Sequence, residues 1–209
     1  MAAPIKITGD AILDAALELI RAGGPEALNA RALARALGCS TQPIFRAFAS
    51  MEALRRAVLE RAHALYRRRV EEAGERSPYP PYKARGMAYI AFARAEPNLF
   101  RLLFMRGRSG ETEGPEDGDW PVDTALAGTG TGLAGAEAEL FHLEMWAVVH
   151  GIAVMGATGY LNLEEAVISR MLTDVFLGTR QKWEAEHNGK SLPLEGKVAS
   201  AVSRKADDG

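Results

Sequence analysis

The chain has 209 residues, 47% hydrophobic and 25% charged, which is enough to bury a substantial core in one or two globular domains and excludes a mere tail or linker. A single cysteine, Cys39, excludes an intramolecular disulfide framework. The net charge of −2 does not by itself suggest a nucleic-acid partner, but residues 29–70 hold nine arginines against Glu52 and Glu60, a local +7, so the remainder carries −9.

The opening MAAPIKITGD lacks the charged, apolar and small regions of a secretory signal, and with one cysteine this points to a reducing cytoplasm. From there on the apolar spacing is helical almost everywhere, with no run of alternating apolar and polar residues, so the expected class is all-α. A first helix is predicted over Asp10–Ala22, with Ile12, Ala16, Leu19 and Ile20 on one stripe and Gly23-Gly24-Pro25 as its stop. A second begins after Asn29, places Leu33 and Leu37 on one face and ends at Gly38. A third, short helix is predicted from Thr41 to Phe48, with Ser40 as N-cap and Pro43 in the first turn, where a missing N–H costs nothing. It turns Ile44 and Phe48 inward and exposes Thr41, Gln42 and Arg46. A fourth helix starts after Ser50 and runs through Arg67-Arg68-Arg69 to about Gly74. The Ser-Pro-Tyr-Pro-Pro break at 77–81 marks the domain boundary. This divides the chain into residues 1–50, a connecting helix 51–76, a second domain 77–187 and a tail 188–209 expected to be disordered.

Two helices joined through Gly38, the second short and polar outside, describe a helix-turn-helix. The stretch ALARALGCSTQPIFRAFASMEALRRAV resembles the DNA-binding segment of the TetR family of transcription regulators, over about residues 8–65. That resemblance implies that the third helix enters the major groove of operator DNA, with Ser40, Thr41, Gln42, Pro43, Phe45 and Arg46 at bases and phosphates and Arg31, Arg35 and Arg55 over the backbone. The residue types suit this placement: glutamine bonds adenine, arginine bonds guanine, and a helix N-terminus attracts phosphate. Three positions depart from the family pattern, Phe45 for a usual Tyr, Ala47 for a polar residue and Met51 for a usual Lys, and each departure removes a usual phosphate contact.

In the second half, PNLFRLLFM from Pro97 and WAVVHG from Trp146 resemble a TetR subgroup with a C-terminal Trp…His-Gly signature, over about residues 96–178. The weakly charged run Met145–Leu161 is broken by Gly151, Gly156 and Gly159 and is short of a membrane span, so it reads as a buried helix. Val167, Ile168, Met171, Leu172, Val175 and Phe176 form a further stripe, and the resemblance implies that the two helices pair across a two-fold axis into a homodimer. It also implies that Phe92, Phe100, Phe104, Trp146 and His150 contact a small-molecule effector.

His142, Trp146 and His150 lie four residues apart, but two histidines with no carboxylate or thiolate set nearby make a weak metal site, and neither metal nor cofactor is expected. Gly130-Thr-Gly132-Leu-Ala-Gly135 matches a dinucleotide-binding fingerprint literally, yet PVDTALAGT before it is no strand and residues 150–160 hold no acid, so an enzyme is not expected. Together with the acidic stretch 108–119 it reads as a glycine-rich connection between helices. The expected function is therefore a cytoplasmic, dimeric regulator of transcription, most often in such a family a repressor that binds double-stranded, palindromic operator DNA and is released by a small-molecule effector. The alternative is a helical ligand-binding or interaction protein that has lost operator binding, with the three departures as its motive.

Overall fold

A computed structural model of the chain describes residues 7–105 and 120–187. Among these residues there are α-helices, one 3-10 turn and no strand. The expected connection 108–119 and tail 188–209 lie outside the described residues.

The N-terminal half begins with α1, Gly9–Gly23, capped by Thr8, whose Oγ1 accepts the Ala11 N–H at 3.2 Å. The stripe Ile12, Ala16, Leu17 and Ile20 is buried, and Gly24 ends the helix with φ +82°. After a 3-10 turn at Pro25–Ala27, α2 spans Ala30–Ala36, with the Asn29 side chain accepting from Ala32 N at 2.9 Å. Its end is a Schellman arrangement: Cys39 N–H bonds Ala34 O at 2.9 Å, Gly38 N–H bonds Arg35 O at 3.1 Å, and Gly38 takes φ +63°. That left-handed residue turns the chain into α3, Gln42–Ala47. Ser50 caps α4, Met51–Glu75, by accepting from Ala53 N at 3.1 Å.

The proline break leads into α5, Pro81–Ala95, followed at once by α6, Pro97–Phe104. Residues 120–131, to which the spacing assigned no element, form α7. Their tertiary setting explains this: Ala127 is fully buried against Phe141 and Met145, and Gly128 is small because a Cβ there would meet Leu133 O at 2.8 Å. The last two helices are α8, Ala136–Ala157, and α9, Glu165–His187.

Helix α5 lies at the centre, packed against α4, α6, α7, α8 and α9. One core cluster runs from Ile12 to Leu172, across the proline break, and a smaller one joins Ala127, Phe141 and Met145. Two Tyr–His pairs fasten α5 to α8. The Tyr82 hydroxyl lies 2.9 Å from His142 Nδ1, and the Tyr89 hydroxyl 2.9 Å from His150 Nδ1. Because the pairs ascend together, seven residues apart on α5 and eight on α8, the two helices run in the same direction. Burial lowers the His142 pKa to about 4, helped by the Arg85 charge, and burial keeps both tyrosines protonated well above their ordinary range.

A second tie holds the N-terminal helices to this body. Glu96, at the α5–α6 junction and only 9% exposed, accepts from Arg21 Nε of α1 at 2.9 Å and pairs with Arg69 Nη2 of α4 at 3.0 Å. Asn98 Nδ2 adds a bond to Arg21 O at 2.8 Å, and Arg101 pairs with Glu26 at 3.5 Å. Buried on one carboxylate and backed by a backbone bond, this cluster outweighs the exposed pairs of Arg61 with Asp10 and Asp14.

Two stretches differ from expectation. The run Met145–Leu161 belongs to a helix that starts earlier, at Ala136, and ends at Ala157, and α8 is buried only on one side, through residues such as Phe141, Met145, Ile152 and Ala153. By length and composition it is the one described helix apolar enough to cross a membrane, yet it packs against α5, α6, α7 and α9. On α9 the stripe turns largely onto the core of the same chain: Ile168 and Leu172 are buried there, while Val167 and Leu177 are exposed.

Two stability measurements check these ties. In Glu96→Gln, Arg69 loses its charge partner and Arg21 keeps only the exposed Glu18, and both guanidiniums stay partly exposed, so unfolding in urea should lose about 1–3 kcal/mol, a drop of several degrees in Tm. For His142, unfolded chains take up a proton below the ordinary pKa of 6.5 and the folded state only near 4. Stability from this residue is therefore complete above about pH 6.5, declines as pH falls, and levels off below about 4, an overall loss of roughly 3 kcal/mol. In His142→Gln the fall of the urea midpoint between those pH values should be visibly shallower than in the parent protein, and equal slopes would remove this histidine from the acid response.

Candidate nucleic-acid interface and ligand region

The orientation of α3 is set by one inward side chain. Ile44 is fully buried beneath α1, and Phe48 is partly buried against the same core, which turns the opposite face of α3 outward. Gln42 and Arg46 are exposed on that face, Thr41 and Pro43 are half-buried, and Ser40 is exposed in the turn. Phe45 is 46% exposed, unusual for a phenylalanine and consistent with a place on the outer face. The structure thus brings all six candidates of the turn and α3 into one short segment.

The capping expectation needs correcting. Thr41, not Ser40, occupies the N-cap position, with φ −71° and ψ −15°, and no side chain caps α3. A cap hydroxyl reaches the first-turn amides from an extended backbone, as at Asn29 and Ser50, whereas Thr41 is already helical and Pro43 has removed one of the amides. Met51 is likewise placed by packing. It is half-buried at the start of α4 against the core cluster, so its apolar side chain has a structural role there.

The arginines divide by partner. Of the nine in residues 29–70, Arg61, Arg68 and Arg69 form ion pairs with Asp10 and Asp14, with Glu72 and with Glu96 respectively. Arg31, Arg35, Arg46 and Arg55, together with Arg56 and Arg67, are exposed and form no ion pair with any described residue. Arg31 and Arg35 lie on α2, Arg46 on α3 and Arg55 near the start of α4, so much of the unpaired charge collects at the helix-turn-helix. Such a surface offers guanidiniums to phosphates without first breaking internal bonds. Arg56 was the one nearby arginine that spacing did not single out, although the pattern Arg55-Arg56 carried it.

The candidate ligand contacts meet in one aromatic cluster. Phe100 stands 5.2 Å from Phe104 and 5.8 Å from the His150 ring, and Trp146 stacks on His150 at 4.6 Å with 13° between planes. Phe92 joins through Tyr66 at 5.2 Å, and Tyr66 meets Phe104 at 5.1 Å. Tyr66 and Tyr89 are the members that the spacing missed, because α4 and α5 contribute them from distant parts of the chain. Phe92 and Phe100 are buried, and burial lowers the pKa of His150, which favours its neutral form. Among the described residues no group of three or more His, Cys, Asp or Glu side chains is gathered as a metal site. The Gly130–Gly135 fingerprint begins inside the last turn of a helix, α7, instead of after a strand, so its backbone is not the phosphate-binding turn that the motif requires.

Comparison with known proteins matches TetR-type domains in both halves, without singling out the Trp…His-Gly subgroup. Residues 12–58 match the family described as bacterial regulatory proteins, tetR family, and residues 82–175 match a domain described as tetracyclin repressor-like, C-terminal domain. A search of the curated proteins finds no match. Among solved structures, a TetR-like transcriptional regulator from Rhodococcus sp. RHA1 superposes with a TM-score of 0.64 at 16% identity, covering 84% of this chain and 97% of that one. A protein with unknown function from the same organism gives 0.64 at 21% identity, over 83% and 94% of the two chains. These likenesses show the fold, and the two matched segments together with the helix-turn-helix geometry show the lineage: the chain belongs to the TetR family of transcription regulators.

Proposed function

We propose that this regulator is a homodimeric repressor that reads operator DNA with α3 and releases it when a small-molecule effector binds the C-terminal half. The observation that carries the reading is the set of unpaired arginines at the helix-turn-helix, Arg31, Arg35, Arg46 and Arg55, in a chain whose other arginines of that segment are partly spent on internal ion pairs. In this reading residues 1–50 are the reader, 51–76 the connecting helix and 77–187 the effector and dimer domain, working in the cytoplasm.

Gln42 and Arg46 read bases, Ser40, Thr41, Pro43 and Phe45 line the groove, and Arg31, Arg35 and Arg55 grip phosphate. Dimerisation uses the incompletely buried side of α8 and the exposed Val167 and Leu177 of α9, surface that the monomer leaves to water. Phe92, Phe100, Phe104, Trp146 and His150 face the effector from the aromatic cluster, in the manner of the Trp…His-Gly subgroup. Coupling runs through Glu96, since any shift of the α5–α6 junction pulls on α1 through Arg21 and on α4 through Arg69. Two reading helices must meet half-sites about 34–36 Å apart, so a small rotation suffices to lose one of them.

The alternative, loss of operator binding, loses one of its three motives at Met51, whose packing against the core gives that position a structural reason to lack lysine. The test is a gel shift with the DNA upstream of the protein's own gene. Gln42→Ala or Arg46→Ala should cost about 1–3 kcal/mol per half-site on that DNA and little on random duplex. Equal losses on both would make the two residues backbone contacts, and no shift with the parent protein would favour the alternative.

A further inference from the structure

Arg76 caps the end of α4 and Arg94 lies near the end of α5, yet both guanidinium-bearing side chains line one cleft. This cleft, of about 300 Å³, lies between the end of α4, one side of α5 and the start of α9. Its floor is apolar, with Ile90 and Ile168 buried and Met87 half-buried. The volume is at the lower end of small-molecule sites.

Arg94 is held in place. Its Nη1 donates to Leu163 O at 3.1 Å, and its stem rests on Gly156, where a Cβ would come within 3.0 Å of Arg94 Cγ. Neither Arg76 nor Arg94 forms an ion pair with a described residue, although Glu165 lines the same cleft. Two cations against one carboxylate leave the lining positive above an apolar floor. A cation is repelled there, and a neutral apolar molecule gains the floor but leaves the guanidiniums to water. An anionic head on an apolar body satisfies both surfaces, and a carboxylate matches the planar fork of arginine.

The geometry points to this cleft as a binding site for a small carboxylate with a compact apolar body, its head paired with Arg94 in the field of Arg76 and its body on Met87, Ile90 and Ile168. None of the aromatic residues offered above as effector contacts lines it. Its regulatory meaning rests on the proposed function, because an occupant here would bear on the far end of the helix whose start carries Arg55, and on α9.

The test uses three matched probes, 4-phenylbutanoate, 4-phenylbutan-1-ol and 4-phenylbutylamine, titrated calorimetrically into the purified full chain. The acid should bind about tenfold or more tighter than the alcohol, with the amine weakest. Arg94→Met and Arg76→Met should each remove most of the acid's advantage and leave the alcohol unchanged. Arg76 is exposed and unpaired with described residues, so its variant guards against misfolding of Arg94→Met. Ala91→Trp, at an exposed position on the rim, should block all three. Absence of acid binding at millimolar concentration, equal affinity for acid and alcohol, or acid binding that survives Ala91→Trp would each overturn the site. A gel shift on upstream DNA with the same protein separates the two readings. DNA binding without acid in the cleft overturns the site alone, whereas acid in the cleft of a protein that binds no upstream DNA supports the site and overturns the regulator mechanism.

Discussion

Helix α5 is the constraint on which the rest of the structure depends. It packs against five other helices, and its buried residues, Ala84, Ala88, Tyr89, Ile90, Phe92 and Ala93, leave little of it for water. A helix packed on most sides in this way, with one side open to the cleft along Met87, Ala91 and Arg94, sets its neighbours relative to one another. The small alanines allow close approach, while Tyr82 and Tyr89 carry hydroxyls into the contact with α8, where each meets a histidine nitrogen. Those bonds fix the register of α5 on α8, because a slip along the axis would bury two phenols and two imidazoles without partners.

The junction at the end of α5 converts this rigidity into a link between the halves. Glu96 gives one oxygen to α1 and the other to α4, so one buried carboxylate positions the helix beneath the reader and the helix that leaves it. Arginine suits both places because its charge persists and its fork reaches across a helix gap. The same residue type serves the opposite purpose a few turns away, where Arg31, Arg35, Arg46 and Arg55 meet no carboxylate of the described protein. Electrostatics here separates structural arginines from those available to a partner, and the separation is spatial, not compositional.

Apolar surface follows a similar logic. Helix α8 is apolar around its circumference, yet only one side meets the core, and α9 keeps Val167 and Leu177 exposed. A monomer has no account of this surface beyond solvation, which is why a second copy is the natural partner in the proposed function.

The sequence by itself determined the all-α class, the order of the first four helices and the outward residues of α3. Capping at Asn29 and Ser50, the glycine turn at Gly38 and the inward Ile44 are all local, and helical spacing suffices to read them. Local rules failed at Ser40, since the N-cap position falls on Thr41, whose helical backbone leaves α3 without a side-chain cap. Tertiary structure decided the rest. It made a helix of residues 120–131 because Ala127 is buried against α8, and it turned part of the α9 stripe inward because Ile168 and Leu172 meet the core. It also chose which arginines are spent in ion pairs and joined Tyr66 and Tyr89 to the aromatic cluster. The i, i+4 pair of Arg68 with Glu72 is local, but contacts such as Ala127 with Phe141, Arg61 with Asp10 and Tyr66 with Phe104 lie beyond any single helix, where no periodicity of 3.6 or 2 carries information: only the packing of helices brings those partners together.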